Sequence, residues 1–219
     1  MQKTDPSTRQ KISDRFGLKL FLATLVATAA VFAWTSTHYH HPAKEKDTWV
    51  DEQSRLHVLG ITLGTSTLRE AEIALQSRSD IALYLYPLGH PKAGQKLEAD
   101  FPAIADRTQV ILLLGATPEQ LYQFEQRATR PHLYPNAVAR SNLAPEDSQL
   151  AYQMPITELT LIPSVTLNAE ALNARFGAPA RVEHVGDRET RLYYPAVGLV
   201  ATLVEGEPAA LHFTNPAQP

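Results

Sequence analysis

The chain predicts an α+β fold, with an N-terminal transmembrane helix followed by helices packed on antiparallel sheet. Three observations carry that expectation. An apolar run, Leu20–Trp34, lies near the start with basic residues around and before it and no polar face. Two later segments open on helix-capping signals and continue at helical spacing. Around them stand short β-favouring runs, several of which end at prolines.

The apolar run is preceded or flanked by Lys3, Arg9, Lys11, Arg15 and Lys19. A membrane helix needs roughly 20 apolar residues, and Phe16 to Thr37 reaches that length if Lys19 snorkels to the headgroups. Trp34 and Tyr39 stand where an interfacial aromatic belt belongs. The basic excess upstream keeps the N-terminus in the cytoplasm and sends the rest across the inner membrane into the periplasm. Residues 1–19 are thus expected as a basic cytoplasmic tail and 20–37 as a signal anchor. A cleaved signal peptide is the alternative, because Ala27-Thr28-Ala29 and Val31-Phe32-Ala33 resemble cleavage sites. A buried soluble helix is the third option. Residues 38–56 are polar and read as a tether. His38, His40 and His41 lie within it, but a closed zinc site wants four ligands on a folded scaffold, so no metal is assigned.

The first α+β half is expected at 57–129. Ile61–Leu63 leads into the Gly64-Thr65-Ser66 turn, and Thr67 with Glu70 has capping-box spacing. Leu68, Ala71 and Leu75 then share a helix face. Ile81–Pro87, Leu97–Phe101 and Val110–Leu114 read as strands, the last a continuous apolar run that predicts a central strand covered on both faces. Thr117, Pro118 and Gln120 open a second helix that buries Leu121, Phe124 and Ala128. Residues 130–155 read as an irregular connection with a short helix at Pro145–Tyr152.

The second half, 156–219, begins with the strand Ile156–Ile162, which stops at Pro163. A helix from Asn168 follows, ended by Gly177 in a left-handed cap and by Pro179. Val182–Val185, Glu189–Tyr194, Val197–Val204 and Ala209–Phe213 make an antiparallel meander with Glu205-Gly206 at its last turn. The order helix, strands, Tyr-rich strand, proline occurs twice, as IALYLYP and as RLYYP. Two tandem helix-plus-meander repeats explain this, and so does the ordinary echo of any α+β chain. Whether the halves share one sheet stays open.

Composition narrows the function. The 219 residues carry a net charge of −3, without the dense basic face that nucleic acid requires. The chain has no cysteine, which excludes disulfides, thiolate chemistry and a lipoprotein anchor. No nucleophile elbow, zincin helix, P-loop or dinucleotide fingerprint occurs. His57, His90, His132, His184 and His212 are scattered, and Glu98 with Asp100 shares a strand face as an exposed edge pair would. No catalytic residue and no cofactor is therefore assigned. Tyr84, Tyr86, Tyr193 and Tyr194 are the candidate partner surface, with packing beneath the helices as the alternative. Ile156–Ile162 or the last strand is the candidate edge for accepting a partner strand.

Gly60–Leu75, ITELTLIPS and RFGAPARVEHVGDRETRLYYPAVGLVATL together resemble a family of membrane-anchored proteobacterial envelope proteins. The resemblance spans roughly Gly60 to Pro216, and R-F-G-x-P followed by L-Y-Y-P-x-x-G-L is its most specific stretch. No activity is assigned to that family, so the resemblance implies no catalytic residues. At the level of one module, a helix ending in F-G-x-P before a meander is similar to the SmpA/OmlA-type outer-membrane-assembly lipoproteins, which are binding and scaffold modules. This chain departs from them in lacking the lipobox cysteine and in carrying two such segments. The expected function is a non-catalytic, inner-membrane-anchored periplasmic module that binds another envelope protein. The alternative is a periplasmic hydrolase or ligand-binding protein acting on lipid or cell-wall fragments.

Overall fold

The structure, a computed structural model, describes residues 48–104 and 107–216. The expected cytoplasmic tail, the membrane helix and the tether up to residue 47 lie outside the described residues, His38, His40 and His41 included. The described chain is mixed α+β and mostly β. A three-stranded sheet, β1 (Thr48–Val50), β2 (Leu56–Val58) and β3 (Ile61–Thr62), opens it. Part of the expected tether, 48–56, is therefore folded: β1 pairs antiparallel with β2, with Trp49 opposite His57 and their rings stacked 3.8 Å apart. The β2–β3 connection has two residues, Leu59 and Gly60, at φ 53° and 79°. Two positive φ angles suit the twist of a tight hairpin.

Four α-helices follow among the described residues. In α1 (Leu68–Leu75) and α2 (Pro118–Arg127) both capping boxes form as expected, from Thr67 with Glu70 and from Thr117 with Gln120. Helix α1 buries Leu68, Ala71 and Leu75, and α2 buries Phe124 with Leu121 packed behind it. Helix α3 (Pro145–Ala151) is tied to α2 by Arg127, whose guanidinium donates twice to the fully buried Asp147 carboxylate, at 3.0 and 2.6 Å. Helix α4 (Ala169–Phe176) starts at Asn168 and ends at Gly177. Gly177 has φ 85° and ψ −170°, not the expected left-handed cap. That region is essentially open to glycine alone, so the residue is needed for a different reason.

The remaining strands are β4 (Asp80–Tyr86), β5 (Gly94–Phe101), β6 (Gln109–Leu114), β7 (His132–Leu133), β8 (Ala139–Asn142), β9 (Ile156–Ile162), β10 (Arg181–Val185), β11 (Glu189–Tyr194), β12 (Leu199–Val204) and β13 (Ala210–Thr214). They form one antiparallel sheet in the order β10-β11-β12-β13-β9-β6-β5-β4-β8-β7. The segment read as a connection, 130–155, thus supplies two strands as well as α3. The two halves share a single sheet, joined because β9 pairs with β6 on one side and β13 on the other. That position overturns both expected open edges, Ile156–Ile162 and the last strand, which are internal. The ends of the sheet are β10 and β7.

Directly opposed residues of antiparallel strands project to the same face. The pairings Leu192↔Ala201↔Leu211↔Leu161↔Val110↔Phe101 and Leu199↔Phe213↔Leu159↔Leu112↔Ala99 therefore define one face. These residues form a single core cluster with Leu68, Ala71, Leu75, Phe124, Ala151 and Leu172 of the helices. Along β9 a bulge at Thr157 skips one partner between Leu113 and Leu114, which keeps both Ile156 and Leu159 in the core.

Candidate functional site: the open face of the sheet

Strand β6 shows why the second face matters. Val110, Leu112 and Leu114 are buried under the helices, whereas Gln109, Ile111 and Leu113 on the other side are half-exposed. The strand is central, as expected, but it is not covered on both faces. Its neighbours on that side are Lys96, Glu98 and Asp100 of β5, Glu158 and Thr160 of β9, Ala210 and His212 of β13, Val200 and Thr202 of β12, and Arg191 and Tyr193 of β11, as the register requires. All of these but Asp100, with Glu189 of β11, bound a trough of about 690 Å³. Every lining residue comes from a strand or from the β4–β5 loop, at Pro91 and Lys92. The floor mixes apolar Ile111, Leu113, Val200 and Ala210 with Thr160, Thr202, Glu158 and His212, and further charges stand at the walls.

The β4–β5 loop forms one wall because it folds onto Tyr86. The His90 ring lies 4.6 Å from that of Tyr86, and Tyr86 lies 6.0 Å from Tyr84, both pairs stacked. Glu98 is 5 % exposed, and its carboxylate accepts from Lys92 Nζ at 2.9 Å and from the Tyr86 hydroxyl at 3.0 Å. Burial, then the charge and hydrogen bond of Glu98, push the Tyr86 phenol above its ordinary range. Glu98 is thus a buried, fully partnered anchor for the wall. It is not half of an exposed edge pair, because β5 lies between β4 and β6. Asp100, its companion on the face, accepts from Gln109 at 2.9 Å.

At the trough's centre His212 stands opposite Thr160. His212 Nε2 is 3.3 Å from Glu158 Oε2, and Nδ1 is 3.1 Å from Thr160 Oγ1. Nδ1 and the Thr160 hydroxyl share one hydrogen bond, and Glu158 stands within ion-pair distance of Nε2. Burial lowers the His212 pKa below 6.5; Glu158 opposes this and Lys92 reinforces it. At the far wall the Arg181 guanidinium lies 3.8 Å over the Tyr193 ring, and the Tyr193 hydroxyl donates to Glu183 at 2.5 Å. That hydrogen bond, with Arg181 and Arg191 nearby and against some burial, holds the Glu183 carboxyl below its ordinary value.

Of the four tyrosines expected at a partner surface, Tyr84, Tyr86 and Tyr193 are half-buried on the open face. Tyr84 and Tyr86 lie on β4 and Tyr193 on β11, six strand spacings apart in the sheet order, roughly 29 Å along a flat sheet. Tyr194 points the other way: it is 4 % exposed, donates to Asn173 at 3.0 Å and packs on Phe176, so it belongs to the core. Sequence reasoning missed Lys92, Glu158, Thr160 and His212. Their grouping depends on strands far apart in the chain, and the one local signal was Thr160 alternating with Glu158. A larger hollow of about 930 Å³ lies on the helix side, between α4 and β10–β12, and has no comparable cluster of interacting charges. Among the described residues no group of side chains is arranged to hold a metal ion. No family model, curated protein or solved structure matches the chain.

Proposed function

We propose that the chain is a non-catalytic module, anchored in the inner membrane by its N-terminal segment, whose periplasmic region binds another envelope protein through the open sheet face. The observation that carries the reading is the trough itself, where half-exposed Ile111 and Leu113 stand beside the central His212–Glu158 pair and further charges. Protein interfaces that form between separately folded partners mix apolar and polar area in this way. The basic residues before Leu20–Trp34 support the anchor, and the motifs from Gly60 to Pro216 support membership of the anchored envelope family. The sheet order supports the repeat as well: α1 precedes the meander β4–β6, α4 precedes β10–β13, and the last strand of each meander flanks β9.

The test is site-specific photo-crosslinking of the full chain in intact cells. A crosslinker at Leu113 or Thr202 captures one protein, whereas one at Ile73, on the exposed side of α1, does not. Ala210→Arg, which fills the floor, abolishes capture while the protein remains folded. Equal capture from Ile73, or capture indifferent to Ala210→Arg, overturns the reading.

The second reading, a periplasmic hydrolase acting on lipid or cell-wall fragments, draws on the alignment of Thr160, His212 and Glu158 as nucleophile, base and orienting acid. Against it stands the position of Thr160 in the middle of β9. Both neighbouring strands pair with β9 there, so the adjacent amides serve the ladder and are not turned toward an oxyanion. Ester or amide hydrolysis lost in Thr160→Val would favour this second reading.

A further inference from the structure

The two ends of the sheet differ. β7 is two residues long and offers almost nothing to a partner strand. β10 is five residues long, paired in unbroken register with β11, and unpaired on its outer side among the described residues. Sheets ordinarily protect such an edge with charged side chains, lysine above all, with proline within the strand or with a bulge. β10 has no lysine, proline or bulge; its charges, Arg181 and Glu183, are of opposite sign on one face, and its Val182 is 49 % exposed.

We propose that β10 is a self-association edge, pairing antiparallel with β10 of a second copy about a two-fold axis through Val182. Three such alignments are possible, because opposed residues must lie on the same face and the axis then passes through Val182, Glu183 or His184. An axis at Glu183 sets two carboxylates against each other. An axis at His184 leaves Arg181 beyond the ladder and Glu183 against Val185. Only the axis at Val182 places Arg181 opposite Glu183 of the second copy, twice by symmetry, and valine against valine on the other face. Ala180 then faces His184, and Pro179, which has no amide hydrogen, marks the end of the ladder. Stacking of Arg181 on Tyr193, the short Tyr193–Glu183 hydrogen bond and a 3.3 Å ion pair between Arg181 and Glu183 hold both charges on one face, where a second copy would join them in an alternating four-charge cluster. Opposite charges directly across an antiparallel pair attract and like charges repel, so the charges select the register. The occupant is a second copy because the pattern is complementary to itself. The inference does not rest on the open-face reading: Val182, its axis residue, lies on the opposite face from the trough, and Arg181 and Glu183 touch the wall residue Tyr193 without lining the trough.

The chain has no cysteine, so single-cysteine variants of the full chain report the contact directly in envelopes of the cells that express it. Opposed residues of antiparallel strands stand about 4.5–5.5 Å apart at Cα, within disulfide reach. Mild oxidation of Val182→Cys gives a disulfide dimer. Leu133→Cys and Ile73→Cys, 67 % and 72 % exposed on β7 and α1, give only background. Adding Glu183→Arg to Val182→Cys sets guanidiniums against each other and lowers the dimer yield about tenfold. Adding Arg181→Glu as well exchanges the two charges and restores it. A Val182→Cys dimer no stronger than the controls overturns the proposal. So does failure of the charge exchange to restore a dimer in a variant whose circular dichroism shows it folded.

Discussion

Single residues show how closely the chain is constrained where backbone segments meet. Gly198, within the Tyr-Pro-x-x-Gly-Leu stretch, ends a short 3-10 turn (Pro195–Val197) at φ 55°. A Cβ there would lie 1.9 Å from the Thr214 carbonyl oxygen, while the Thr214 amide donates to the Gly198 carbonyl at 2.9 Å. Left-handed geometry and a backbone collision add, so Gly198→Ala is expected to cost about 3 kcal/mol or more, read as a lower urea midpoint. The Asp51 carboxylate accepts from the amides of Gln53 and Arg55, from Arg55 Nε at 2.8 Å, and lies 3.2 Å from His57 Nε2. Burial raises its pKa, but the Arg55 amide, the His57 and Arg55 side-chain hydrogen bonds and the Arg55 charge outweigh it and hold the group well below 3.8. A carboxyl with a depressed folded pKa stabilises fully above its unfolded value and loses that contribution as pH falls through the folded one. Asp51→Asn is therefore less stable than the parent at neutral pH, and the gap narrows as pH drops below 3.8, measured by urea midpoints across that range.

At the scale of elements, helix starts were legible because their chemistry is local. A threonine, three residues and a Glu or Gln suffice to close the capping boxes of α1 and α2. The end of α1 was less legible, since Gln76 holds a left-handed cap at φ 50° that glycine usually fills. Gln76 is exposed there, so Gln76→Gly is expected to raise stability by up to about 1 kcal/mol, checked by chemical denaturation. Strand existence was legible for β4, β5, β6, β9 and the last meander. Strand neighbours were not. Alternation in Ile156–Ile162 reads the same in an edge strand as in a central one, because ladder hydrogen bonds use main-chain atoms common to every residue. β8 carries Arg140, Ser141 and Asn142 and pairs with β4, although its polar composition resembles a loop.

For the whole molecule, continuity of the large sheet through β9 makes the described α+β region a single cooperative structure. Asn215 stitches the small sheet to the chain's far end: its carbonyl accepts from the Leu56 amide at 2.8 Å and its amide donates to the Leu63 carbonyl at 3.2 Å. In a Trp34→Phe variant the fluorescence of Trp49 reports on the small sheet alone, and its urea transition is expected to coincide with that of far-UV circular dichroism. Separate midpoints would show the small sheet melting independently. The sequence by itself determined the α+β class, the helix N-caps and most strand positions, because periodicity and capping act within a few residues. Only the tertiary structure decided that β9 and β13 are internal, that one face of the sheet is left open, and that Glu158, Thr160 and His212 meet on it. Those outcomes depend on pairings between β6 and β9 and between β9 and β13, which are set by where whole elements bury their apolar faces and not by any one segment.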